Sequence, residues 1–558
     1  MATLGGHAAL LTGRGRMPRR HVALALCTLG IATAVALLPL TASAALVLGV
    51  SLALLILARP AVGLAALALT VPFGSLFEVQ VSGIAITADE PLVGILVLSW
   101  AMMLLARRQR VVYLPCSIWS TALILGVLAF DLTLVPTLAL AVKELIRWGE
   151  LSAVALIGCN VLHNRRQIVT VLAVILVAGL AEAFVGWYQF LLRVGPPAFA
   201  VGRFLRAYGS FNQPNPFAGY LGMVWPLGMS LALYWLVASL RHATPSREPR
   251  VTGLRSLACR ERPHAAASAL AIQHDTPAAR FVERLRGGGK LGVAVPGLLG
   301  LLALLATAVI AIAMLMSYSR GAWLGLVVAT MLLAGLYQRR LFALLLLAAA
   351  LVVALVALGQ FNLLPAAVAA RVNDAIAYFR IFDVRTVQAT PQNWAVVERM
   401  ASWQAAWRMF EVAPLLGIGP GHYDLAYARY GMEGWPQPLG HAHNYYLNVL
   451  AEMGALGLAA YLLSLGTWLV AGLFCFRRLG SSPMLAGLSL ERAVVAGVLG
   501  ALAAAAVHNV FDNLYVHGMN IHVGLLLGIM LAVGRGVPGA AHCQELPRRA
   551  NLQGGQLP

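Results

Sequence analysis

Charged residues are scarce in this chain. They form 11% of its 558 residues, whereas a soluble domain carries about 25%. Acidic residues are the rarer kind, with 21 Asp and Glu against 40 Lys and Arg. This shortage of charge, together with 60% hydrophobic residues, excludes an ordinary soluble domain. The excess of positive charge is typical of cytoplasmic loops that contact anionic membrane lipids, so nucleic acid is not an expected partner.

Cysteine is also sparse: the chain has six, and none forms a CxxC pair or a zinc-binding spacing. All six fall at the inner ends of predicted spans or in inner loops, which predicts no disulfide framework. A zinc site made from His422, His441 and His443 is an alternative, but no companion carboxylate pattern supports it. We therefore expect neither a metal nor another cofactor.

Long apolar runs are what the chain has in place of charge. Runs of about 17–25 residues are long enough to span a bilayer, and backbone groups in lipid must satisfy their own hydrogen bonds. We therefore predict an all-α polytopic membrane helical bundle. Because two runs are short, about 12–14 transmembrane helices are expected. The runs lie near 21–40, 43–58, 61–76, 91–106, 116–136, 139–162, 167–192, 217–240, 295–316, 320–337, 341–359, 454–476, 491–510 and 516–535.

The positions of Lys and Arg orient these spans. Most of them fall in alternate loops when both termini are cytoplasmic, as the positive-inside rule requires. This orientation predicts a multi-pass protein of the cell inner membrane with one long helical loop domain on the periplasmic or extracellular face. The expected layout is a cytoplasmic segment 1–20, transmembrane helices 21–240, a disordered cytoplasmic loop 241–290, transmembrane helices 291–359, the outer loop domain 360–453, transmembrane helices 454–535 and a cytoplasmic tail 536–558.

Four polar clusters then fall on the outer face. They are "RAYGSFNQPNPFAGY" (206–220), "SYSRGAW" (317–323), the loop domain with Arg399 and "HAHN" (441–444), and "HNVFDNLY" (508–515). Taken singly, each has a structural explanation, such as helix capping or an arginine that reaches the headgroups. Their convergence on one face predicts a site at the outer membrane boundary.

The span at 139–162 contains "VKELIRWGE". Lys143, Arg147 and Glu150 share one helix face, and ionisable groups inside a membrane usually face a cavity. The alternative is mutual neutralisation, with Glu144 pairing with Arg147 three residues on.

Three segments resemble the O-antigen ligase and polymerase superfamily (WaaL- and Wzy-like): "SYSRGAW", "ERMASWQAAWRMFEVAPLLGIGPGHY" and "HAHNYYLNVLAEMGALGL". The ligase signature is His, then Asn, Ser or Gln, nine residues, and Gly-x-x-Gly. His443 and Asn444 fit it with Gly454 and Gly457, and Leu458 departs from the usual Thr or Val. The resemblance covers roughly 200–515.

The resemblance implies a GT-C-like glycosyltransferase of many spans. Such an enzyme moves a glycan from an undecaprenyl-diphosphate carrier to an acceptor hydroxyl on the outer face, without metal or nucleotide. The acceptor is a lipid-A-core sugar in a ligase, a growing glycan in a Wzy-like polymerase, or Ser/Thr in a protein glycosyltransferase. A non-enzymatic lipid-linked glycan flippase or transporter is the alternative from another class.

The residues suit this chemistry. His443 is the expected catalytic base, because a neutral imidazole accepts a proton near neutral pH. Guanidinium groups bind phosphate oxygens bidentately. Arg206 and Arg320, which match the family's arginines, are therefore the first candidates for diphosphate ligands. Arg147 and Lys143 are the second candidates. The residues expected to support the site or to bind the acceptor are Asn444, His441, Asn215, Arg399 and Asp512. Asn444 has a second expected use, as the cap of the helix that begins there.

Overall fold

The computed structural model describes residues 39–76, 78–81, 84–106, 112–243, 290–360, 381–390, 393–480 and 488–535. These residues are mostly helical, with only two very short hairpins, which confirms the all-α prediction. Residues 21–38 of the first predicted span, most of the 241–290 loop and the 536–558 tail lie outside the described residues. The helices are α1 (Leu40–Ala58), α2 (Pro60–Thr70), α3 (Asp89–Leu105), α4 (Cys116–Asp131), α5 (Leu138–Val161), α6 (Arg165–Leu192), α7 (Pro214–Ala243), α8 (Lys290–Met316), α9 (Arg320–Tyr337), α10 (Arg339–Gln360), α11 (Trp394–Val412), α12 (Tyr423–Tyr430), α13 (Tyr445–Arg478), α14 (Leu490–His508) and α15 (Met519–Gly534).

Each predicted span after the first contains one of these helices. Within the described residues, seven helices are long and apolar enough to cross a membrane by length and composition. They are α1, α6, α7, α8, α9, α13 and α14. Shorter apolar helical stretches lie at Pro60–Leu76, Cys116–Asp131 and Met519–Gly534. The protein is an integral membrane protein, and the larger number of about 12–14 spans stays a prediction.

Two short antiparallel hairpins interrupt the helices. β1 (Val79–Val81) pairs with β2 (Ile84–Ile86) between α2 and α3. β3 (Ala200–Val201) pairs with β4 (Phe204–Leu205) just before the 206–220 cluster. The second hairpin therefore fixes where that polar loop begins.

The core of the bundle is built on α7 and α14. Both helices are largely buried, and α7 also packs along α8 while α14 packs along α9. Around them, α5 packs on α15 and α13 packs on α4. The outer loop domain expected at 360–453 contains α11 and α12, which share a small core around Met409, Tyr423 and Tyr427.

Helices α5 and α15 meet at backbone distance. A methyl group added at Gly158 would lie 2.9 Å from the Cα of Gly528. Small residues at such a crossing allow two helices to approach closely, and in lipid this contact is a main source of helix association. The pair therefore sets the spacing of α5 and α15.

Helix α13 is broken at Gly454, where φ is +62° and ψ is −163°. The segment 414–419 satisfies the backbone groups that the break leaves without helical partners. The carbonyls of Ala451 and Glu452 accept from the N–H groups of Ile418 and Gly419, at 3.0 and 2.9 Å. On the other side of the break, the Ala455 N–H donates to the carbonyl of Pro414 at 2.9 Å. The helix thus begins nine residues before the predicted boundary at 454.

The cysteines correct one expectation. Cys159 and Cys475 are buried free thiols. Cys116, at the start of α4, is disulfide-bonded, and its partner lies outside the described residues. The inner placement of the cysteines therefore did not exclude a disulfide pair, because the fold and not the loop assignment decides which thiols meet.

Gly158→Ala is expected to destabilise the protein by about 1–3 kcal/mol, because the added methyl would meet main-chain atoms that cannot rotate away. Gly149→Ala is the matched control on the same helix, since nothing lies within 4 Å of the methyl it would add. Thermal unfolding in detergent measures both variants. Equal melting temperatures for the two would show that the close crossing carries no stability.

Candidate functional site

The polar clusters at 206–220, 317–323 and 508–515 are joined by direct contacts. The Nε of Arg206 donates to the carbonyl of Ser317 at 2.7 Å, and a terminal guanidinium nitrogen donates to Oδ1 of Asn215 at 3.1 Å. Oγ of Ser319 lies 3.3 Å from Nε2 of His508. Loops that are more than a hundred residues apart in the chain therefore share one region.

The His motif joins this region through Asp512. Nδ1 of His443 lies 3.1 Å from Oδ1 of Asp512, and the same oxygen accepts from the N–H of Asn513 at 2.8 Å. A carboxylate only accepts, so Nδ1 carries the proton and Nε2 keeps its lone pair. This is the tautomer that a general base needs. Asp512 pairs with His443, not with His508 one turn before it.

His441 packs against this pair. Its ring centroid lies 4.4 Å from that of His443, and its Nδ1 accepts from the backbone N–H of His443 at 3.1 Å. Its proton is therefore on Nε2, which lies 3.8 Å from Oδ1 of Asp512. Burial, and then the neighbouring His443, lower the pKa of His441 to about 4. His441 is thus neutral at physiological pH and positions His443.

Asp512 is fully ionised in this setting. Burial by itself would raise the pKa of its carboxyl group. The hydrogen bond from His443, the electrostatic interactions with His443 and His441, and the positive charge of Arg399 instead hold that pKa far below its usual value. A buried anion is therefore maintained by groups from two other segments, the His motif and the start of α11.

Arg206 interacts electrostatically with two other arginines and with this anion. Burial lowers the pKa of Arg206 to about 10, and repulsion from Arg399 and Arg320 adds to the effect, while Asp512 opposes it. Arg206 is still a cation at neutral pH. A concentration of positive charge with one carboxylate among it is typical of a site for a multiply charged anion such as a phosphate.

Backbone strain concentrates in the same loops. Four non-glycine residues there have positive φ, with values of 57°, 54°, 49° and 51° for Asn212, Tyr318, His443 and His517. Such conformations cost on the order of 1 kcal/mol or more each and persist only where neighbouring contacts enforce them. For His443 the enforcing contacts are its N–H bond to His441 and the indole N–H of Trp403, which donates to its carbonyl at 3.4 Å.

The start of α13 holds the His motif in place. Oδ1 of Asn444 accepts from the N–H of Leu447 at 3.1 Å, so Asn444 caps the helix. The Tyr445 N–H donates to the carbonyl of Asn509 at 2.8 Å, which ties the first turn to the loop that carries Asp512. Capping was one of the two uses expected of Asn444.

Two residues on α6 support this site, and the sequence predicted no role in it for either. Glu182 accepts from the N–H and the hydroxyl of Ser210, at 3.1 and 2.5 Å. Gln189 accepts from the N–H of Gly209 at 2.7 Å and donates to its carbonyl at 2.8 Å. Together they hold the loop that begins at Arg206. The available signal was two polar side chains two turns apart, on one face of an otherwise apolar helix.

Lys143 and Arg147 lie in a different charged group. Arg147 forms an ion pair with Glu144, and Asn520 donates to the Arg147 carbonyl and to Glu150, at 2.9 and 3.0 Å. The charges of Lys143 and Arg147 also act on Glu90. These contacts agree with mutual neutralisation, and a role for either residue with the diphosphate stays a prediction.

One group of side chains has the geometry to hold a cation. His441, His443 and Asp512 offer ligand atoms that all lie within 4.8 Å of one another. His422, the third histidine of the zinc alternative, instead contacts the Pro420 carbonyl through Nδ1 at 2.8 Å. Two imidazoles and a carboxylate are metal-binding groups, but here one Asp512 oxygen already bonds His443. The expectation that no metal is used stays a prediction.

These observations define an all-α polytopic membrane protein in which an imidazole–carboxylate pair adjoins a group of arginines. Residues 305–462 match the family model described as O-antigen ligase. The match supports the resemblance of this chain to the O-antigen ligase and polymerase family over that segment, and it is in keeping with a membrane enzyme of glycosyltransferase type. The matched segment contains Arg320, Arg399 and His443, whereas Arg206 and Asp512 lie outside it. No curated protein sequence matches the chain.

The pKa of His441 makes stability depend on pH. The unfolded imidazole has a pKa of about 6.5, whereas burial lowers the folded value to about 4. Between these values the unfolded state binds the proton more strongly, so the free energy of unfolding falls as pH falls through this window. His441→Asn keeps an acceptor for the His443 N–H. In this variant, the loss of unfolding free energy across the pH window is expected to be smaller by about 1–3 kcal/mol.

Melting temperatures of both proteins between pH 7.5 and 4.5 measure the difference. Asp512 does not contribute there, because its lowered pKa affects stability only below the unfolded value of about 3.9. Parallel curves for the two proteins would contradict a neutral, buried His441.

Proposed function

We propose that this protein transfers a glycan from an undecaprenyl-diphosphate carrier to an acceptor hydroxyl, as an O-antigen ligase does, on the outer face of the inner membrane. The observation that supports it most directly is the His443–Asp512 pair beside three arginines, within and next to the segment that matches the family. In this arrangement, His443 accepts a proton and the arginines neutralise a phosphate leaving group.

His443 is the general base in this proposal. Asp512 holds its Nδ1–H, so Nε2 accepts the proton of the acceptor hydroxyl as that oxygen attacks the anomeric carbon. The imidazolium that forms is stabilised by the Asp512 carboxylate, which stays ionised. His441 fixes the ring from the other side, and the strained backbone at His443 keeps the side chain at one orientation.

The arginines act on the leaving group. As the new bond to the anomeric carbon forms, the bond from that carbon to the phosphate oxygen breaks, and the electron pair leaves with undecaprenyl diphosphate. Arg206 and Arg320 bind the phosphate oxygens, and Arg399 adds positive charge. Asn215 holds the guanidinium of Arg206 in position. Lys143 and Arg147 remain candidates for a more distant contact with the carrier.

A Wzy-like polymerase would use the same residues and is the second candidate, because the superfamily that the sequence motifs resemble contains both activities. The two differ in the acceptor, which is lipid-A core for a ligase and a growing glycan for a polymerase. The deciding experiment combines the purified protein in nanodiscs with lipid-linked glycan and each acceptor, with EDTA present and no nucleotide. One capped product indicates a ligase, and a ladder of lengthened glycans indicates a polymerase. No transfer, with carrier moving between leaflets, would replace the proposal by a flippase.

His443→Ala is expected to abolish transfer, and Asp512→Asn is expected to lower kcat by about 10²–10⁴, because an amide no longer fixes the tautomer. His163→Ala is the control, since His163 lies near Arg535 at the opposite end of the bundle. Initial rates and melting temperatures are measured together. Near-normal turnover by a well-folded His443→Ala protein would remove His443 from the role of base.

Arg206→Lys is expected to lower kcat/KM by about tenfold or more, because a lysine cannot bond Ser317 and Asn215 while also presenting a fork to phosphate. Arg320→Lys is expected to behave in the same way. Arg203→Lys, an exposed substitution three residues before Arg206, is the control. Unchanged rates in Arg206→Lys would mean that the guanidinium only braces the loop.

A further inference from the structure

A cavity of about 560 Å³ opens in the loop domain next to the His motif. Asn444 and Leu447, from the first turn of α13, form the wall nearest to His443. The other walls come from α11 and from residues 381–385, and they include Trp403, Trp407, Asp383, Arg385, Arg408 and Glu411. The mechanism proposed above uses none of those six side chains.

The 381–385 wall is fixed to α11 by hydrogen bonds. Gln404 donates to the carbonyl of Phe382 at 2.8 Å and accepts from the Val384 N–H at 3.4 Å. Asp383 and Arg385 bond each other through several atoms, including Nε to both carboxylate oxygens at 3.0 Å. The cavity therefore has its shape before any ligand arrives.

The lining combines aromatic faces with polar groups of both signs. The side chain of Trp407 is 49% exposed, although its indole N–H donates to Glu411 at 2.8 Å. Carboxylates accept hydrogen bonds and guanidinium groups donate them, so Asp383, Arg385 and Arg408 suit a ligand that has many hydroxyls. An indole face suits the apolar C–H side of the same ligand. A sugar ring has both surfaces, whereas a lipid chain has no hydroxyls to bond to these polar groups.

The cavity is connected to the reaction centre along one helix face. Arg399, Trp403 and Trp407 follow one another at intervals of four residues on α11, so they form a row about 12 Å long. Arg399 lies at one end of the row and interacts electrostatically with Asp512 and His441. Trp403, in the middle, contacts the carbonyl of His443. Trp407 forms the far end, away from the arginines that face the diphosphate.

We propose that this cavity is the subsite for the acceptor glycan, with Trp407 as its stacking platform. This inference rests on the proposed function. The base removes the proton of the acceptor hydroxyl, and the cavity adjoins the residue that carries the base through Trp403 and Asn444. A glycan in the cavity would extend along the row of α11 and present its terminal hydroxyl to His443.

The test uses lipid-free oligosaccharides of both candidate acceptors, one from lipid-A core and one from the growing glycan. Binding to the full-length protein in nanodiscs is measured by calorimetry, in the wild-type and in the His443→Ala background, where no turnover interferes. Trp407→Ala is expected to weaken binding about tenfold, and Trp407→Phe, which keeps an aromatic face, by less than about threefold. Trp394→Ala is the matched control, because Trp394 is 51% exposed on the same helix and lies outside the cavity lining.

Transfer kinetics give a second readout. Trp407→Ala is expected to raise KM for the acceptor by about the same factor and to change kcat less than about twofold. Equal binding by Trp407→Ala and Trp394→Ala would overturn the subsite. The absence of oligosaccharide binding in a protein that still transfers glycan would also overturn the subsite. That result would not contradict the proposed function. Binding that depends on Trp407, in a protein that transfers nothing, would support the subsite and overturn the proposed function.

Discussion

The hydrogen bond between His443 and Asp512 is the constraint on which the rest of the site depends. It places a buried carboxylate beside a helix start, and such a charge is costly unless it is fully paired. The cost is offset by donors from the His motif, by the Asn513 N–H and by the field of nearby arginines. Removing one partner would leave the others desolvated without compensation. The pair therefore requires four distant loops to keep one arrangement.

Support for that arrangement comes from helices rather than from the loops themselves. Glu182 and Gln189 reach from α6 to hold the 208–210 turn. Asn444 caps α13, and the first turn of α13 binds the backbone at Asn509. Strained residues such as His443 and Tyr318 are tolerated because rigid elements fix both of their ends. A site built in this way is organised before any ligand binds.

Much of this was predictable from the sequence, because the informative patterns are local. Apolar runs marked the helices, and the charge distribution placed the polar clusters on one side. The spacing from His443 to Gly457 indicated the family. What the sequence did not predict depends on contacts between distant segments. Asp512 is 69 residues from His443, and its neighbour His508 offered a closer partner in the chain. The spacing around Arg147 indicated its pairing with Glu144, but it could not indicate Asn520, which is distant in the chain and donates to the Arg147 carbonyl and to Glu150.

The interruption of α13 at Gly454 has a consequence for how this protein can change over evolution. Peptide groups on both sides of the break are paired with residues 414–419, near a membrane where water offers little substitute. A deletion or insertion in that short stretch would leave several backbone donors and acceptors without hydrogen-bond partners. Surface loops usually vary freely in length, whereas this one is bound by its main chain to the helix beneath it. Sequence drift there is therefore confined to side chains, and the main-chain pairing keeps the first turns of α13 in place behind the histidine.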